Sequence, residues 1–164
     1  MEIKKVGLDD ISTIQHLAET IWPQAYGNII SAAQLRYMLN LIYSKTSLKE
    51  QIKKGHQFIL AMQNNEAIGF ASFSQKSDIE PTTFRLHKIY VLPNLPTKGT
   101  GSFLLAYVID ESKKQAGKIL ELNVNKYNSA MEFYLKKGFT IVREEVIDIG
   151  EGYVMDDYVV QKSI

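Results

Sequence analysis

The stretch Leu86-His-Lys-Ile-Tyr-Val-Leu-Pro93, continued by Asn94-Leu-Pro-Thr-Lys-Gly-Thr-Gly-Ser102 and Phe103-Leu-Leu105, decides the fold. It opens with β-branched and aromatic residues, as a strand does, and Pro93 stops it. Gly99 and Gly101 open backbone angles closed to other residues and leave no Cβ to obstruct a ligand. Beyond them Leu104, Leu105, Val108, Ile109 and Ser112 fall at helical spacing, so the glycines stand where a helix begins. The first turn of a helix carries N–H groups without intrahelical partners and a partial positive charge, a combination suited to phosphate or pyrophosphate. A strand feeding such a turn is a candidate anion cradle. The same pattern also serves as an ordinary connecting loop, so the surrounding chain has to decide between them.

With 164 residues and a formal net charge of +1, the chain has the length and balance of one globular domain, and its charge gives no broad reason to expect nucleic acid. No stretch has the apolar length of a membrane span, and Met1-Glu-Ile-Lys-Lys lacks the apolar core of a signal peptide; a cytoplasmic setting is expected. Cysteine is absent, which excludes disulfides, a thiol nucleophile and thiolate metal ligands. His16, His56 and His87 show no metal-ligand spacing, and His16 and His56 have no evident partners, so no metal is expected.

Residues Glu2 to Val6 read as a short strand. Asp9 or Asp10 then caps a helix whose stripe is Ile11, Ile14, Leu17 and Ile21 and which ends before Pro23, leaving Trp22 and Tyr26 in a loop. Ser31 caps a second helix, and Ser47 to Lys54 forms a third, closed by Gly55. Phe58 to Met62 and Ala67 to Gln75 are strands joined by the hairpin-type turn Gln63-Asn-Asn-Glu66. Thr82 to Leu92 is the next strand. After the long helix, ended by Gly117, Ile119 to Val124 is a strand, and strand–helix–strand in this order predicts a parallel crossover. Ser129 with Glu132 makes a capping box for a short helix ending at Gly138. Thr140 to Ile149 and Tyr153 to Gln161 are the closing strands. The expected fold is one mixed α/β domain over residues 1–164.

The Gly-x-Gly helix start, the strand after it, and Asn128-Ser-Ala-Met-Glu-Phe-Tyr134-Leu-Lys-Lys-Gly138-Phe139 resemble the GCN5-related N-acetyltransferases, most closely from Leu86 to Phe139. The ending Tyr153-Val-Met-Asp-Asp-Tyr158 is similar to the last strand of many members, polyamine-acetylating ones included. The resemblance implies a central, mostly antiparallel, splayed sheet of about seven strands flanked by about four to five helices. It also implies acetyl transfer from acetyl-CoA to a primary amine by direct attack in a ternary complex. Where the family usually has Gln or Arg in its pyrophosphate loop, this chain has Pro96, which offers neither a side-chain donor nor an N–H. Thr97, Lys98, Gly99, Thr100, Gly101 and Ser102 still supply N–H groups, hydroxyls and a cation. A dinucleotide-binding reading would use Glu121 as the ribose-binding acid, but Leu104 replaces the third glycine and Pro93 to Pro96 lengthen the turn. A phosphate loop of the Walker type fails because Lys98 precedes the glycine.

Carried over residue by residue, the resemblance places the pantetheine arm and thioester carbonyl on the backbone N–H groups of Ile89, Tyr90 and Val91. Tyr134 matches the family's proposed acid for the departing thiolate; a thiol pKa of about 8.5 against about 10 for a phenol makes that transfer feasible. Periodicity alone would instead pack Tyr134 in the core beside Met131 and Leu135. Asn128 either bonds the cofactor or caps its helix. An alkylamine with a pKa near 10 needs a base, and His87, on a strand face with Ile89 and Val91 where many members carry glutamate, is the candidate. A hydrogen-bonded structural histidine is the other reading, with Glu80, Asp157 or water then as base. Trp22, Tyr26, Tyr153, Asp156 and Asp157 are the candidates to line the acceptor pocket, and neighbours in a strand point to opposite faces, so at most one aspartate faces it. The acceptor is a polyamine, another small amine, an amino acid or a peptide N-terminus. A homodimer through the terminal strands is compatible with this order. The competing class is a CoA-binding regulatory module without turnover, which Pro96 favours and Tyr134 opposes.

Overall fold

The computed structural model describes residues 1–164. In chain order its elements are β1 (Glu2–Lys5), a 3-10 turn (Leu8–Asp10), α1 (Ile11–Tyr26), α2 (Ala32–Tyr43), α3 (Lys45–Lys53), β2 (Gln57–Gln63), β3 (Glu66–Gln75), β4 (Thr83–Val91), α4 (Thr100–Lys114), β5 (Ile119–Asn125), α5 (Ala130–Lys136), β6 (Thr140–Gly150) and β7 (Tyr153–Ser163). The sheet order is β1-β2-β3-β4-β5-β7-β6. β1–β2, β2–β3, β5–β7 and β6–β7 pair antiparallel, and the predicted crossover appears as a parallel β4–β5 pairing over Thr83–Arg85 and Ile119–Glu121. The seven strands and five α-helices agree with the expected fold class. No helix is long and apolar enough to cross a membrane.

The chain divides into two compact units, Met1–Ser74 with Leu86–Glu111, and Gln75–Arg85 with Ser112–Ile164. In the first, Ile14, Leu17, Ala18 and Ile21 of α1 are buried, as the helical stripe requires, together with Met38, Leu48, Leu60 and Phe70. Leu104, Leu105 and Val108 of α4 are buried too. Gly69 permits that helix to approach: a Cβ there would stand 2.9 Å from the Tyr90 carbonyl oxygen and 3.4 Å from Leu104 Cδ1. The turn Gln63 to Glu66 closes with Asn64 and Asn65 at φ 51° and 63°, the left-handed pair that suits a tight hairpin. In the second unit Leu120, Leu122 and Val124 of β5 are buried, as are Tyr134, Phe139 and Val160.

Four local expectations are corrected. α1 does not stop before Pro23 but includes it, with the Gly27 N–H donating to the Pro23 carbonyl at 3.0 Å. An internal proline costs about 3 kcal/mol, whereas burying Trp22 and Tyr26 returns roughly 4–6 kcal/mol each at about 25 cal/mol per Å². Asp10 precedes α1, yet its carboxylate turns back to accept from the Gly7 N–H at 2.9 Å and from Lys4 Nζ at 2.8 Å. The Lys4 hydrogen bond, with that of Gly7, holds its carboxyl below the ordinary value against the effect of burial. α3 begins earlier than Ser47, because Ser44 is its cap and accepts from the Ser47 N–H. Ser129 makes no capping box: at φ −60° and ψ −17° its hydroxyl is misdirected, and Asn128 Oδ1 accepts from the Ala130 N–H at 2.9 Å instead.

Past α4, the left-handed residue is Ala116, at φ 67°, and not Gly117. Gly117 is needed for space, since a Cβ there would meet the Ser112 carbonyl oxygen at 2.7 Å and Phe84 Cδ1 at 2.8 Å. Gly117→Ala is therefore expected to destabilise the protein by about 1–3 kcal/mol, and Ala116→Gly to be neutral or to stabilise it by up to about 1 kcal/mol. Urea unfolding of the two variants checks both; equal effects would refute this division of roles.

Candidate functional site

β4 distributes the candidate residues by alternation. Phe84, Leu86 and Lys88 are buried on one face, while Arg85, His87 and Ile89 are half-buried on the other. Tyr90 turns its ring into a cluster with Trp22, Tyr26 and Phe70: centroids lie 5.7, 6.3 and 5.7 Å away, and the Tyr90 and Tyr26 hydroxyls share a hydrogen bond of 2.8 Å. Trp22 and Tyr26 are thus core residues of the first unit, and they meet the same strand whose backbone was assigned to the cofactor. Tyr43 completes the cluster, edge-on to Trp22 at 5.5 Å and to Phe70 at 5.9 Å.

Lys88 is a buried residue that sequence reasoning left unassigned. It is 8% exposed, donates to Gln51 Oε1 at 2.6 Å, and lies 5.4 Å from the Phe58 ring centre and 5.8 Å from that of Tyr43. Burial acts on the two neighbours with opposite sign. It lowers the Lys88 ammonium to about 8 and raises the Tyr43 phenol well above its ordinary value. The alternation Leu86-Lys88-Tyr90 was the signal available in the sequence.

His87 shares a 2.7 Å hydrogen bond through Nε2 with Ser74 Oγ. His56, read from sequence as lacking a partner, stacks on it with centroids 3.9 Å apart and planes 4° from parallel. Burial, then the charges of Lys88 and Lys54, lowers His56 to about 4, so it stays neutral near pH 7. Two stacked imidazoles do not carry two charges cheaply. The neutral ring is assigned to His56.

The glycine turn is open at the head of α4. Gly99 is exposed at φ 88°, with nothing within 4 Å of where a Cβ would stand, and its carbonyl accepts from the Phe103 N–H at 2.9 Å. Thr100, Gly101 and Ser102 then occupy the first turn of α4, whose N–H groups have no partners within the helix. Lys98 is exposed beside them. Pro96 does not leave the loop untethered, because Thr97 Oγ1 donates to Gln63 Oε1 at 2.9 Å. The Thr100 hydroxyl is buried against Met1 Sδ at 3.4 Å, which leaves its N–H as the group it offers.

In the second unit Tyr134 is 5% exposed, with Phe133 and Phe139 edge-on at 5.3 and 5.6 Å. Asn128 caps α5 through Oδ1, and its amide nitrogen is not used in that cap. Tyr153 starts β7 half-buried, and Asp157 is buried farther along it. Asp156 takes the opposite face, where Lys126 Nζ lies 2.9 Å away, as strand alternation predicts. Glu121, the acid of the dinucleotide alternative, is fully buried. It lies 3.0 to 3.1 Å from Arg85, Lys76 and Arg143, a structural employment.

A family model described as an acetyltransferase (GNAT) domain matches residues 28–154. A spermidine N(1)-acetyltransferase of Thermoplasma acidophilum is 26% identical over 147 residues, 86% of this chain and 89% of that protein. An aminoalkylphosphonate N-acetyltransferase of Salmonella typhimurium is 29% identical over 83 residues, 49% of this chain and 54% of that one. Among solved structures, the PaiA N-acetyltransferase of Thermoplasma acidophilum in complex with coenzyme A superposes with a TM-score of 0.83 at 24% identity, covering 99% of this chain and 98% of the other.

The lowered Lys88 fixes the sign of one pH effect. Between about pH 8 and 10.5 the unfolded chain keeps this proton and the folded chain does not, so stability rises with pH through that window. Urea unfolding at pH 7.5 and 10 should show wild type gaining on the order of 2 kcal/mol relative to Lys88→Met. Parallel pH dependence of the two would refute the buried ammonium.

Proposed function

Because the chain belongs to the GNAT acetyltransferase family, we propose that it transfers the acetyl group of acetyl-CoA directly to a primary amine of a small molecule of the polyamine type. The observation that carries this reading is the left-handed, unobstructed Gly99 at the head of α4, tethered through Thr97 to Gln63. The polyamine class is suggested by the spermidine N(1)-acetyltransferase relative. The whole chain, 1–164, acts as one acetyltransferase domain in this reading.

The N–H groups of Lys98 to Ser102, with the Lys98 ammonium, would hold the pyrophosphate, and the Asn128 amide would add a contact to the cofactor. The N–H groups of Ile89, Tyr90 and Val91 would hold the pantetheine arm and stabilise charge growing on the thioester oxygen. Tyr90 supports that backbone from behind, since its ring is fixed among Trp22, Tyr26 and Phe70. The rate gain is then mainly positional, and without cysteine the acetyl group has no thiol to rest on.

The acceptor must lose a proton before its nitrogen can attack. His87 takes that role, oriented by Ser74 and stacked against a His56 that burial keeps neutral. Its neutral partner lets His87 accept a proton without a second imidazolium at 3.9 Å. As the nitrogen–carbonyl bond forms and the carbon–sulfur bond breaks, the Tyr134 hydroxyl gives its proton to sulfur, and the second proton that the nitrogen sheds on becoming an amide restores the phenol through water.

Acetyl-CoA and CoA are expected to raise the melting temperature while NAD and ATP do not, and thiol release should follow addition of spermidine. Tyr134→Phe should keep the acetyl-CoA shift and lose roughly a hundredfold in kcat. His87→Gln should flatten the acidic limb of the kcat/KM profile. No thermal shift and no thiol release across an amine panel would overturn the proposal; full turnover by Tyr134→Phe would remove the acid alone.

A further inference from the structure

Period-2 alternation puts Glu121 and Asn123 of β5, Arg143 and Glu145 of β6, and Asp157 and Gln161 of β7 on one face of the second unit's strands. The charges on this face are unevenly distributed. Glu121 receives Lys76 Nζ at 3.1 Å, Arg85 Nη1 at 3.0 Å, Arg143 Nη1 at 3.1 Å and Gln161 Nε2 at 3.4 Å. Farther along, Glu145 and Asp157 are direct cross-strand partners, an arrangement that like charges oppose. They share one neutral donor: Asn123 Nδ2 reaches Glu145 Oε2 at 2.7 Å and Asp157 Oδ2 at 3.3 Å.

Asp157 is 6% exposed, and its other oxygen, Oδ1, is buried with no hydrogen-bond partner. Such an oxygen is destabilising, more so when charged, unless a donor reaches it. The groups around it are Asn123, Glu145 and Asn125, its direct partner on β5, whose Oδ1 accepts from the Tyr127 N–H, with Asp156 on its own strand and Arg85 on β4. Burial, then Glu145 and Asp156, raise the Asp157 carboxyl against the Asn123 hydrogen bond and Arg85. Arg85 does not supply the missing donor in this arrangement, since Nη1 goes to Glu121 and Nη2 to Asn123 Oδ1.

The site therefore lacks a donor for Oδ1, and its nearest cation, Arg85, is already engaged by Glu121 and Asn123. No group of three or more His, Asp or Glu side chains converges as a metal ion would need. A primary ammonium answers both deficits with three donors on one compact cation. We propose that Asp157 and Glu145, set in place by Asn123, form a binding site for a protonated aliphatic amine of a polyamine. This rests on the polyamine reading above only for the class of amine. It adds Glu145 and Asn123 as residues that select a cationic ligand over a neutral one.

Calorimetric titration of the full chain without acetyl-CoA tests it, using spermidine, n-butylamine and magnesium chloride at matched ionic strength. Spermidine should bind wild type, and roughly tenfold more weakly to Asp157→Asn. Glu145→Gln, a half-exposed position, should weaken it several-fold and serves if Asp157→Asn does not fold. Both variants should keep the thermal shift with acetyl-CoA. Equal spermidine affinity in wild type and variants, no binding to wild type, or magnesium binding as tight as spermidine would each overturn the site. A KM for spermidine that rises with the dissociation constant assigns the ammonium to the acceptor, whereas an unchanged KM assigns it to a separate amine; both outcomes support the site. Asp157-dependent binding without any turnover would sink the transfer reading and leave the site standing.

Discussion

The two-residue period of β4 is the constraint on which the first unit's chemistry depends. One face takes Leu86, Lys88 and Tyr90, and the other takes His87 and Ile89. A shift of one residue would expose the aromatic anchor and bury the histidine. Register is held by what each face meets: the Trp22, Tyr26 and Phe70 rings for Tyr90, Gln51 for Lys88, and Ser74 with His56 for His87. The backbone that leads into the glycine turn is therefore fixed from both sides.

In the second unit electrostatics takes the corresponding role. A carboxylate as deeply buried as Glu121 is tolerable only with donors on its lone pairs. Burial alone would raise it, but hydrogen bonding from Lys76, the charges of Arg85 and Lys76, and Gln161 outweigh burial and hold it below the ordinary value. With Arg143, the cations on Glu121 are drawn from β4, the segment before it and β6, so one acid ties three parts of the chain together. The same concentration leaves Asp157 and Glu145 with little compensation.

Much of this was legible in the sequence because it is local. The strand-to-helix glycines, the Asn64-Asn65 turn, the parallel crossover and the Ser31 cap each follow from a few adjacent residues, and Ser31 accepts from the Gln34 N–H as a cap should. What escaped was decided at a distance. Pro23 obeys no helix-stop rule because Trp22 and Tyr26 are buried by residues far along the chain. Ser129 satisfies the capping-box spacing, yet Asn128 beside it offers an Asx turn that wins. His56 met His87 only once β2, β3 and β4 were in order. Tyr134 is core by burial, as periodicity has it, and the acid role proposed for it comes from the resemblance alone. Asn123, Glu145 and Asp157 come from three strands, and no spacing in the chain announces their meeting.

The aromatic cluster also gives the protein an optical property. Trp22 is its single tryptophan, buried at 3% exposure and 5.7 Å from the ring of Tyr90. Indole emission depends on the polarity and quenching groups around the ring, and here Tyr90 stands among them with Tyr26 at 4.6 Å and Tyr43 at 5.5 Å. Tryptophan emission thus comes from one residue in one place, and a displacement of Tyr90 at the end of β4 alters its surroundings without any label.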